Sequence, residues 1–185
     1  ATPSPQADQV LVRVRAAAVN PKDTFIRKGR FQPFTGQQFP MQTGFDFAGE
    51  VATVGDRVDA IAPGTPVFGM LDGWHGHTCA QYLTVHTNQL AAKPPALSFE
   101  AAAALPLVSL TALQALRDEG GLQPGQRVCI NGASGGVGSM AVQIARILGA
   151  SVTAISSAVH HEFLRQLGAD TCMDYRTTAI TESRQ

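Results

Sequence analysis

The residues best suited to chemistry form a glycine-rich turn in the second half of the chain. Residues 127–149 read RVCINGASGGVGSMAVQIARILG, in which alternating apolar residues predict a short strand and later apolar spacings predict a helix. Free amides and the helix dipole at such a turn bind anions. Gly135 would let the backbone approach a pyrophosphate, and Gly138 would let helix and strand pack closely. The turn predicts a dinucleotide site formed by Ala133, Ser134, Gly135, Gly136, Val137 and Gly138.

The segment after this turn predicts which dinucleotide binds. Further strands at 151–155 and 171–175, with a helix at 159–167, predict a parallel sheet with right-handed crossovers. NAD-specific sites place a carboxylate after the second strand to hold the ribose 2′-hydroxyl. Here two hydroxyls and an imidazole follow instead, and they can hydrogen-bond to a 2′-phosphate. NADPH is therefore predicted over NADH, with the adenosine side of the site formed by Ser156, Ser157, His160 and Tyr175.

The composition excludes several classes of partner. The 185-residue chain has 14 basic and 14 acidic side chains and no basic cluster, so we expect no nucleic-acid partner. No apolar run reaches membrane-spanning length and no signal peptide is evident, so we expect no membrane partner. The three cysteines, Cys79, Cys129 and Cys172, are far apart and resemble buried free thiols. This pattern predicts a cytoplasmic protein.

The first half of the chain is predicted to be mostly strand and turn. Asn20 and Pro21 begin a short helix that ends at Gly29, and residues 31–42 are predicted to be a loop. Strands are predicted at 10–16, 45–54, 61–70 and 80–85. Ser98 caps a helix that stops at Pro106, and a further helix is predicted at 107–117. We therefore expect two domains, residues 1–97 and 98–185.

Three motifs in this order carry a family resemblance. VLVRVRAAAVNPKDTFIRKG, GFDFAGEVATVG and NGASGGVGSMAVQIARILGA resemble the medium-chain dehydrogenase/reductase superfamily. Within it the chain is similar to the quinone oxidoreductase branch, which includes zeta-crystallin and the enoyl reductase domains of polyketide synthases. The resemblance implies an α/β plus mostly-β fold: a GroES-like β-barrel substrate domain joined to a Rossmann doubly wound parallel sheet. It implies that the first domain holds the substrate, that the Rossmann domain holds NADPH, and that the active site lies in the cleft between them.

The resemblance also bears on metal binding. Zinc-dependent relatives carry a Gly-His-Glu triplet whose histidine binds zinc, and here the matching triplet is Gly44-Phe45-Asp46. A phenyl ring cannot ligate a metal, and the chain lacks the four cysteines of a structural zinc lobe. His75 and His77 flank a glycine and are predicted to form an exposed rim. We therefore expect no metal.

The remaining site residues are implied by the resemblance. Asn20, Asp23 and Thr111 match residues near the nicotinamide, although Thr111 can equally be a structural hydroxyl within its helix. Phe25 and Phe31 replace tyrosines of some quinone reductases, so no proton donor is identified, and plain packing is an equal alternative for both. The implied substrate pocket consists of Phe25, Phe31, Phe45 and Trp74.

The predicted reaction is hydride transfer from NADPH to a quinone or to the β-carbon of an α,β-unsaturated carbonyl. The alternatives are a non-catalytic NADPH-binding or interaction protein on the same scaffold, and a zinc-free alcohol dehydrogenase-like reductase. Relatives continue through a second half of the Rossmann sheet, so we expect this chain to be part of a longer protein. The full-length protein is expected to be a homodimer.

Overall fold

The computed structural model describes residues 2–36 and 41–178 and contains two compact units, Ala1–Leu107 and Val108–Gln185. Each unit has its own hydrophobic core. Residues 98–107 group with the first unit, because helix Phe99–Ala103 packs on its sheet through Ala102 and Ala103. The predicted domain boundary after residue 97 stays a prediction.

The first unit is built on an antiparallel sheet of five strands in the order β4-β1-β2-β3-β5. These strands are β1 (Gln9–Ala18), β2 (Asp46–Val54), β3 (Pro66–Met70), β4 (Tyr82–His86) and β5 (Leu90–Ala92). Val10 and Val12 of β1 are fully buried, whereas Arg13 and Arg15 are exposed, so the predicted inward valines and outward arginines are confirmed. The core also contains Phe45, which directly precedes β2.

Three short helices accompany this sheet: α1 (Pro21–Arg27), α2 (Gln32–Thr35) and α3 (Phe99–Ala103). A 3₁₀ turn at Thr87–Gln89 joins β4 to β5. The predicted cap of α3 is confirmed, because the Ser98 hydroxyl accepts the Ala101 N–H at 3.1 Å. The alanines of α3 pack against Ala48, since small side chains let a helix lie close to a sheet.

Two predicted elements of the first half differ from the structure. Residues 31–42 were expected to form a loop, but Gln32–Thr35 is helical; residues 37–40 lie outside the described part of the chain. The strand predicted at 61–70 begins only at Pro66. A tight turn precedes it, in which the Thr65 N–H bonds to the Ala62 carbonyl and Gly64 has a φ of +87°.

The second unit contains a parallel sheet in the order β6-β7-β8, flanked by helices. Its elements are β6 (Arg127–Asn131), α5 (Gly136–Ile147), β7 (Ser151–Ser156), a 3₁₀ turn (Ala158–His160), α6 (His161–Gln166) and β8 (Thr171–Asp174). The helix predicted at 107–117 is α4 (Pro106–Leu113) followed by a π-helical segment, Gln114–Glu119. Val142 of α5 and Val152 of β7 are buried in the core. A GroES-like unit plus part of a Rossmann-like parallel sheet confirms the predicted fold class.

The cysteines differ from the expectation of buried thiols. Cys79 and Cys129 are exposed, and Cys172 is half-buried with a thiol pKa raised by burial. On β6 the period-two alternation directs Ile130 into the core and Cys129 to the opposite face, which explains its exposure. Among the described helices, none has both the length and the apolar character needed to span a bilayer.

Candidate active site

The start of α1 forms a buried polar cluster with the start of β2. The Asp23 carboxylate accepts the Asn20 N–H at 2.8 Å and the Gly44 N–H at 2.7 Å. The first bond is half of a capping box, which explains why a helix begins at Asn20-Pro21. Asn20 and Asp23 are both buried, at 7% and 5% exposure, so the structure brings these two predicted site residues together.

Asp46 completes this cluster and was not predicted as a site residue. Its carboxylate accepts the Asn20 side-chain amide at 2.7 Å and the Leu107 N–H at 2.9 Å. Burial raises the pKa of Asp46, while the hydrogen bonds from Asn20 and Leu107 act in the opposite direction. Asp46 stands between Phe45 and Phe47, and a carboxylate flanked by large apolar residues was the available sequence signal, because such a group needs buried partners.

An aromatic group lies beside the same helix. The ring of Phe31 lies 6.0 Å from that of Phe25 and 5.0 Å from that of Trp74, centroid to centroid. Phe34 stacks on Trp74 at 4.7 Å with an interplanar angle of 15°. Phe34 was not predicted, because the residues between 31 and 42 were expected to form a featureless loop.

Phe45, the fourth predicted substrate residue, is fully buried in the core, with one face against a cation. The Lys22 ammonium nitrogen lies 3.9 Å from the Phe45 centroid and 5.1 Å from that of Trp74. Lys22 therefore contacts two of the predicted substrate residues, Phe45 and Trp74, through cation–π interactions. Lys22 itself was not predicted as a site residue.

The glycine-rich turn joins β6 to α5 in the second unit. Gly132 has a φ of +68°, and the Ala133 N–H donates to the Ile155 carbonyl at 3.0 Å, which holds the turn at the end of β7. A Cβ on Gly138 would lie 2.3 Å from the Gly132 oxygen, so only glycine allows this close approach. The first intrahelical bond of α5 runs from the Ser139 N–H to the Gly135 carbonyl at 2.8 Å.

Three amides therefore precede that first helical bond, those of Gly136, Val137 and Gly138. Gly135 is extended, with φ −78° and ψ 174°, and a Cβ there would meet only the Gly132 oxygen within 4 Å. A turn without side-chain bulk, leading into unpaired helix amides, fits the pyrophosphate of a nicotinamide dinucleotide.

The predicted adenosine-side residues, at and after the end of β7, differ in how exposed they are. Ser156 is 3% exposed and its hydroxyl donates to the Ser157 carbonyl at 3.0 Å, so it is occupied within the protein. Ser157 is half-buried, while His160 and Tyr175 are exposed. The binding role of all four stays a prediction.

A carboxylate that the sequence did not reveal lies at this edge. Asp174 pairs with Ser156 at the ends of neighbouring parallel strands. It accepts the Arg176 N–H at 2.9 Å and the Ala158 N–H at 3.2 Å, and the first of these bonds lowers the pKa of Asp174 most. Asp174 belongs to the third strand of the parallel sheet, so the residues that follow the second strand along the chain gave no sign of it.

The remaining predictions concern Thr111 and metal binding. Thr111 is exposed on α4, and its role stays a prediction. Within residues 2–36 and 41–178, no three His, Cys, Asp or Glu side chains form a group able to hold a metal. Two cavities of about 600 and 530 Å³ both include Ala80 and Gln81, and neither is lined by a predicted site residue.

Comparisons with known proteins agree with this architecture. The alcohol dehydrogenase GroES-like domain family matches residues 6–96, and the zinc-binding dehydrogenase family matches residues 136–184. The chain is 38% identical over 182 residues to the chloroplastic quinone-oxidoreductase homolog of Spinacia oleracea, covering 96% of this chain and 55% of the relative. It is 37% identical to the human mitochondrial NAD(P)H oxidoreductase RTN4IP1, covering 95% and 48%. It is 40% identical to the 2-methylene-furan-3-one reductase of Solanum lycopersicum, covering 95% and 47%.

Solved structures give the same result. An alcohol dehydrogenase superfamily protein from Novosphingobium aromaticivorans superposes with a TM-score of 0.89 at 42% identity, covering 95% of this chain and 53% of that one. The Escherichia coli quinone oxidoreductase complexed with NADPH superposes with a TM-score of 0.83 at 30% identity, covering 98% and 55%. The chain spans about half the length of the curated relatives it matches.

These relatives correct one prediction. A cytoplasmic location is contradicted, because the spinach relative is named chloroplastic and the human one mitochondrial. Free cysteines are consistent with any reducing compartment, so their number could not distinguish among them.

The two family matches, their order along the chain and the two-unit fold carry one conclusion. The chain belongs to the medium-chain dehydrogenase/reductase superfamily and is similar to its quinone oxidoreductases.

Proposed function

We propose that this protein is an NADPH-dependent oxidoreductase that reduces a quinone or an α,β-unsaturated carbonyl without zinc. The observation that carries the proposal is the glycine turn, where Gly138 packs against the Gly132 carbonyl and three helix amides are left without helical partners. The relatives support an oxidoreductase, since they include quinone oxidoreductases and a 2-methylene-furan-3-one reductase.

The second unit would hold the cofactor. The amides of residues 136–138 would bind the pyrophosphate, and Gly135 would leave the space for its approach. Reduced nicotinamide supplies a hydride when bound. The protein's part is to bind and orient it and to keep water away.

NADPH is proposed over NADH because no side chain directly after β7 is acidic. Ser157 is half-buried and His160 and Tyr175 are exposed, and these three side chains would contact the 2′-phosphate. Asp174 lies at the same edge, but its oxygens already accept the N–H groups of Ala158 and Arg176. That pairing favours a structural role for the carboxylate.

The first unit would hold the acceptor. The Asn20 side chain is fixed by the Asp46 carboxylate, which accepts its amide N–H at 2.7 Å. Asn20 and Asp23 are proposed as the polar residues nearest the reaction, and Phe25, Phe31 and Trp74 as the apolar wall.

Zinc independence is proposed from the chemistry of the side chains. Phe45 stands where zinc-dependent relatives have a ligand, and a phenyl ring offers no lone pair. Phe45 is fully buried with a lysine ammonium against its ring, so this position offers a metal cation neither a ligand atom nor a favourable charge. The expected homodimer stays a prediction that sedimentation of the full-length protein would test.

The experiment is NADPH oxidation by the protein with a panel of quinones, enones and simple aldehydes, before and after treatment with a chelator. We expect turnover with quinones or enones, little with aldehydes, and no loss after chelation. Binding of NADPH without turnover of any acceptor would indicate a non-catalytic NADPH-binding protein instead. Activity that disappears with one released zinc per chain would refute zinc independence.

A further inference from the structure

Lys22 lies in the first turn of α1 with its side chain half-buried among aromatic rings. Its ammonium nitrogen donates to the Gly73 carbonyl at 2.5 Å and faces the rings of Phe45 and Trp74. An ammonium has three N–H donors, and within the described part of the chain this is the hydrogen bond that it makes. The ring faces attract the cation without providing oxygen acceptors. Donors are therefore left for the oxygen of a ligand.

The surface beside Lys22 is aromatic. Phe34 is 60% exposed and Trp74 is 37% exposed, although the two rings stack on each other. Phe31 also packs against Trp74, with 5.0 Å between the ring centroids, and is itself half-buried. Exposed rings next to a fixed cation suit a planar, conjugated ligand that carries a polar oxygen at one edge.

We propose that Lys22 is a catalytic residue whose ammonium donates hydrogen bonds to the carbonyl oxygen of a planar conjugated acceptor lying against Trp74 and Phe34. This inference rests on the proposed function and names the group that binds the oxygen. When the acceptor takes up a hydride, the bond that breaks would be a C–H bond of the reduced nicotinamide, which would be left oxidised, and the two electrons of that bond form the new C–H bond of the acceptor. The conjugated π pair then moves onto the oxygen, and a proton from water neutralises it.

The Lys22 ammonium would stabilise the acceptor most strongly during hydride uptake. The charge on the oxygen grows during hydride uptake, so the ammonium binds the transition state more tightly than the neutral acceptor. Burial lowers the pKa of Lys22, against the opposing influence of Asp23 and Asp72. Partial removal of water also strengthens the attraction between the ammonium and an oxyanion.

The test uses 4-nitrophenolate as a planar anion that resembles the reduced acceptor, and 4-nitroanisole as its neutral counterpart. Trp74 is the single tryptophan of the chain, so its fluorescence reports binding at this surface. The variants are Lys22→Met, Lys22→Arg, and the matched control Lys28→Met, which removes an exposed lysine at the end of the same helix. A thermal melt checks that each variant is folded.

We expect Lys22→Met to weaken 4-nitrophenolate binding at least about tenfold, as the loss of a charge-assisted hydrogen bond implies. Lys22→Arg should retain most of the affinity, and Lys28→Met all of it. Binding of 4-nitroanisole should be equal in all four proteins, which a merely structural role for Lys22 would not produce. NADPH affinity should not change in Lys22→Met.

Two results would overturn the assignment: equal 4-nitrophenolate binding in the parent and Lys22→Met, or no saturable binding in the parent. Turnover separates this inference from the proposed function. If the parent oxidises no NADPH with any acceptor, the proposed function fails, while the 4-nitrophenolate titration still decides whether Lys22 forms an oxyanion site.

Discussion

The first unit presents side chains gathered from separate segments, whereas the second presents backbone amides from one continuous turn. Asp46 bonds to partners 26 and 61 residues away in the chain, Asn20 and Leu107. The turn between β6 and α5 instead depends on the absence of a Cβ at Gly135 and Gly138. The side-chain cluster of the first unit should therefore be disrupted when one bonding partner is removed. The backbone site of the second unit should instead be disrupted when a side chain is added.

The largest expected effect follows removal of the Asp46 carboxylate. Asp46→Ala removes the carboxylate that accepts hydrogen bonds from the buried Asn20 amide and from the half-buried Leu107 N–H. The loss of each hydrogen bond to the carboxylate costs about 1–3 kcal/mol, so we expect a loss of roughly 2–6 kcal/mol in the free energy of unfolding. Denaturant unfolding measures it, with Glu50→Ala on the same strand as the control.

Glu50 is bonded to the exposed Arg13, and such surface pairs contribute at most about 1 kcal/mol. A loss for Asp46→Ala no greater than that for Glu50→Ala would show that the buried cluster is not needed for stability.

The matching change in the second unit is Gly135→Val, which adds a side chain without requiring a forbidden backbone angle. We expect NADPH affinity to fall at least about a hundredfold, equivalent to ~2.7 kcal/mol, because the pyrophosphate can no longer reach several amides. The thermal melt of the cofactor-free protein should change little. NADPH titration of Gly135→Val beside the parent is the measurement.

Gly138→Ala sharpens the contrast, because its Cβ would lie 2.3 Å from the Gly132 oxygen. This variant should lose about 1–3 kcal/mol of stability from overpacking, whether or not NADPH is present. If Gly135→Val instead lost stability and kept its affinity, the turn would be structural only.

A smaller effect is expected at the edge of the parallel sheet. Ser157→Asp places a negative charge where the 2′-phosphate is proposed to bind, whereas Ser156 is too buried for a charged substitution. NADPH affinity should fall about tenfold, equivalent to ~1.4 kcal/mol, with little change for NADH. Ser157→Asn is the uncharged control. Parallel losses for both cofactors would place the 2′-phosphate elsewhere.

The smallest effect is a pH dependence of opposite sign in the two units. Burial raises the folded-state pKa of Asp46, so its contribution to stability is present below its unfolded pKa and is lost as pH rises through the raised value. Hydrogen bonding lowers the pKa of Asp174, so its contribution is present above the unfolded pKa and is lost as pH falls through the lowered value.

Melts of the parent, Asp46→Asn and Asp174→Asn across the acidic range would measure these contributions. The stability difference between the parent and Asp46→Asn should shrink as pH rises, and that between the parent and Asp174→Asn should grow. Differences that move in the same direction would contradict the opposite environments of the two carboxylates.

The same contrast explains what could be predicted from the sequence. The turn at residues 132–138 was predictable because strand, glycines and helix are adjacent in the chain. The cap at Asn20 was predictable for the same reason. Other contacts depend on tertiary packing that no local sequence pattern encodes. They are the hydrogen bonds of Asp46, the contact of Lys22 with Phe45, and the hydrogen bond from Ala158 to Asp174.

The most direct test of the account is a crystal structure of the protein with NADPH. We predict that the pyrophosphate oxygens accept hydrogen bonds from the amides of Gly136, Val137 and Gly138, at about 2.7–3.2 Å. A pyrophosphate bound elsewhere, with these amides left to solvent, would contradict it.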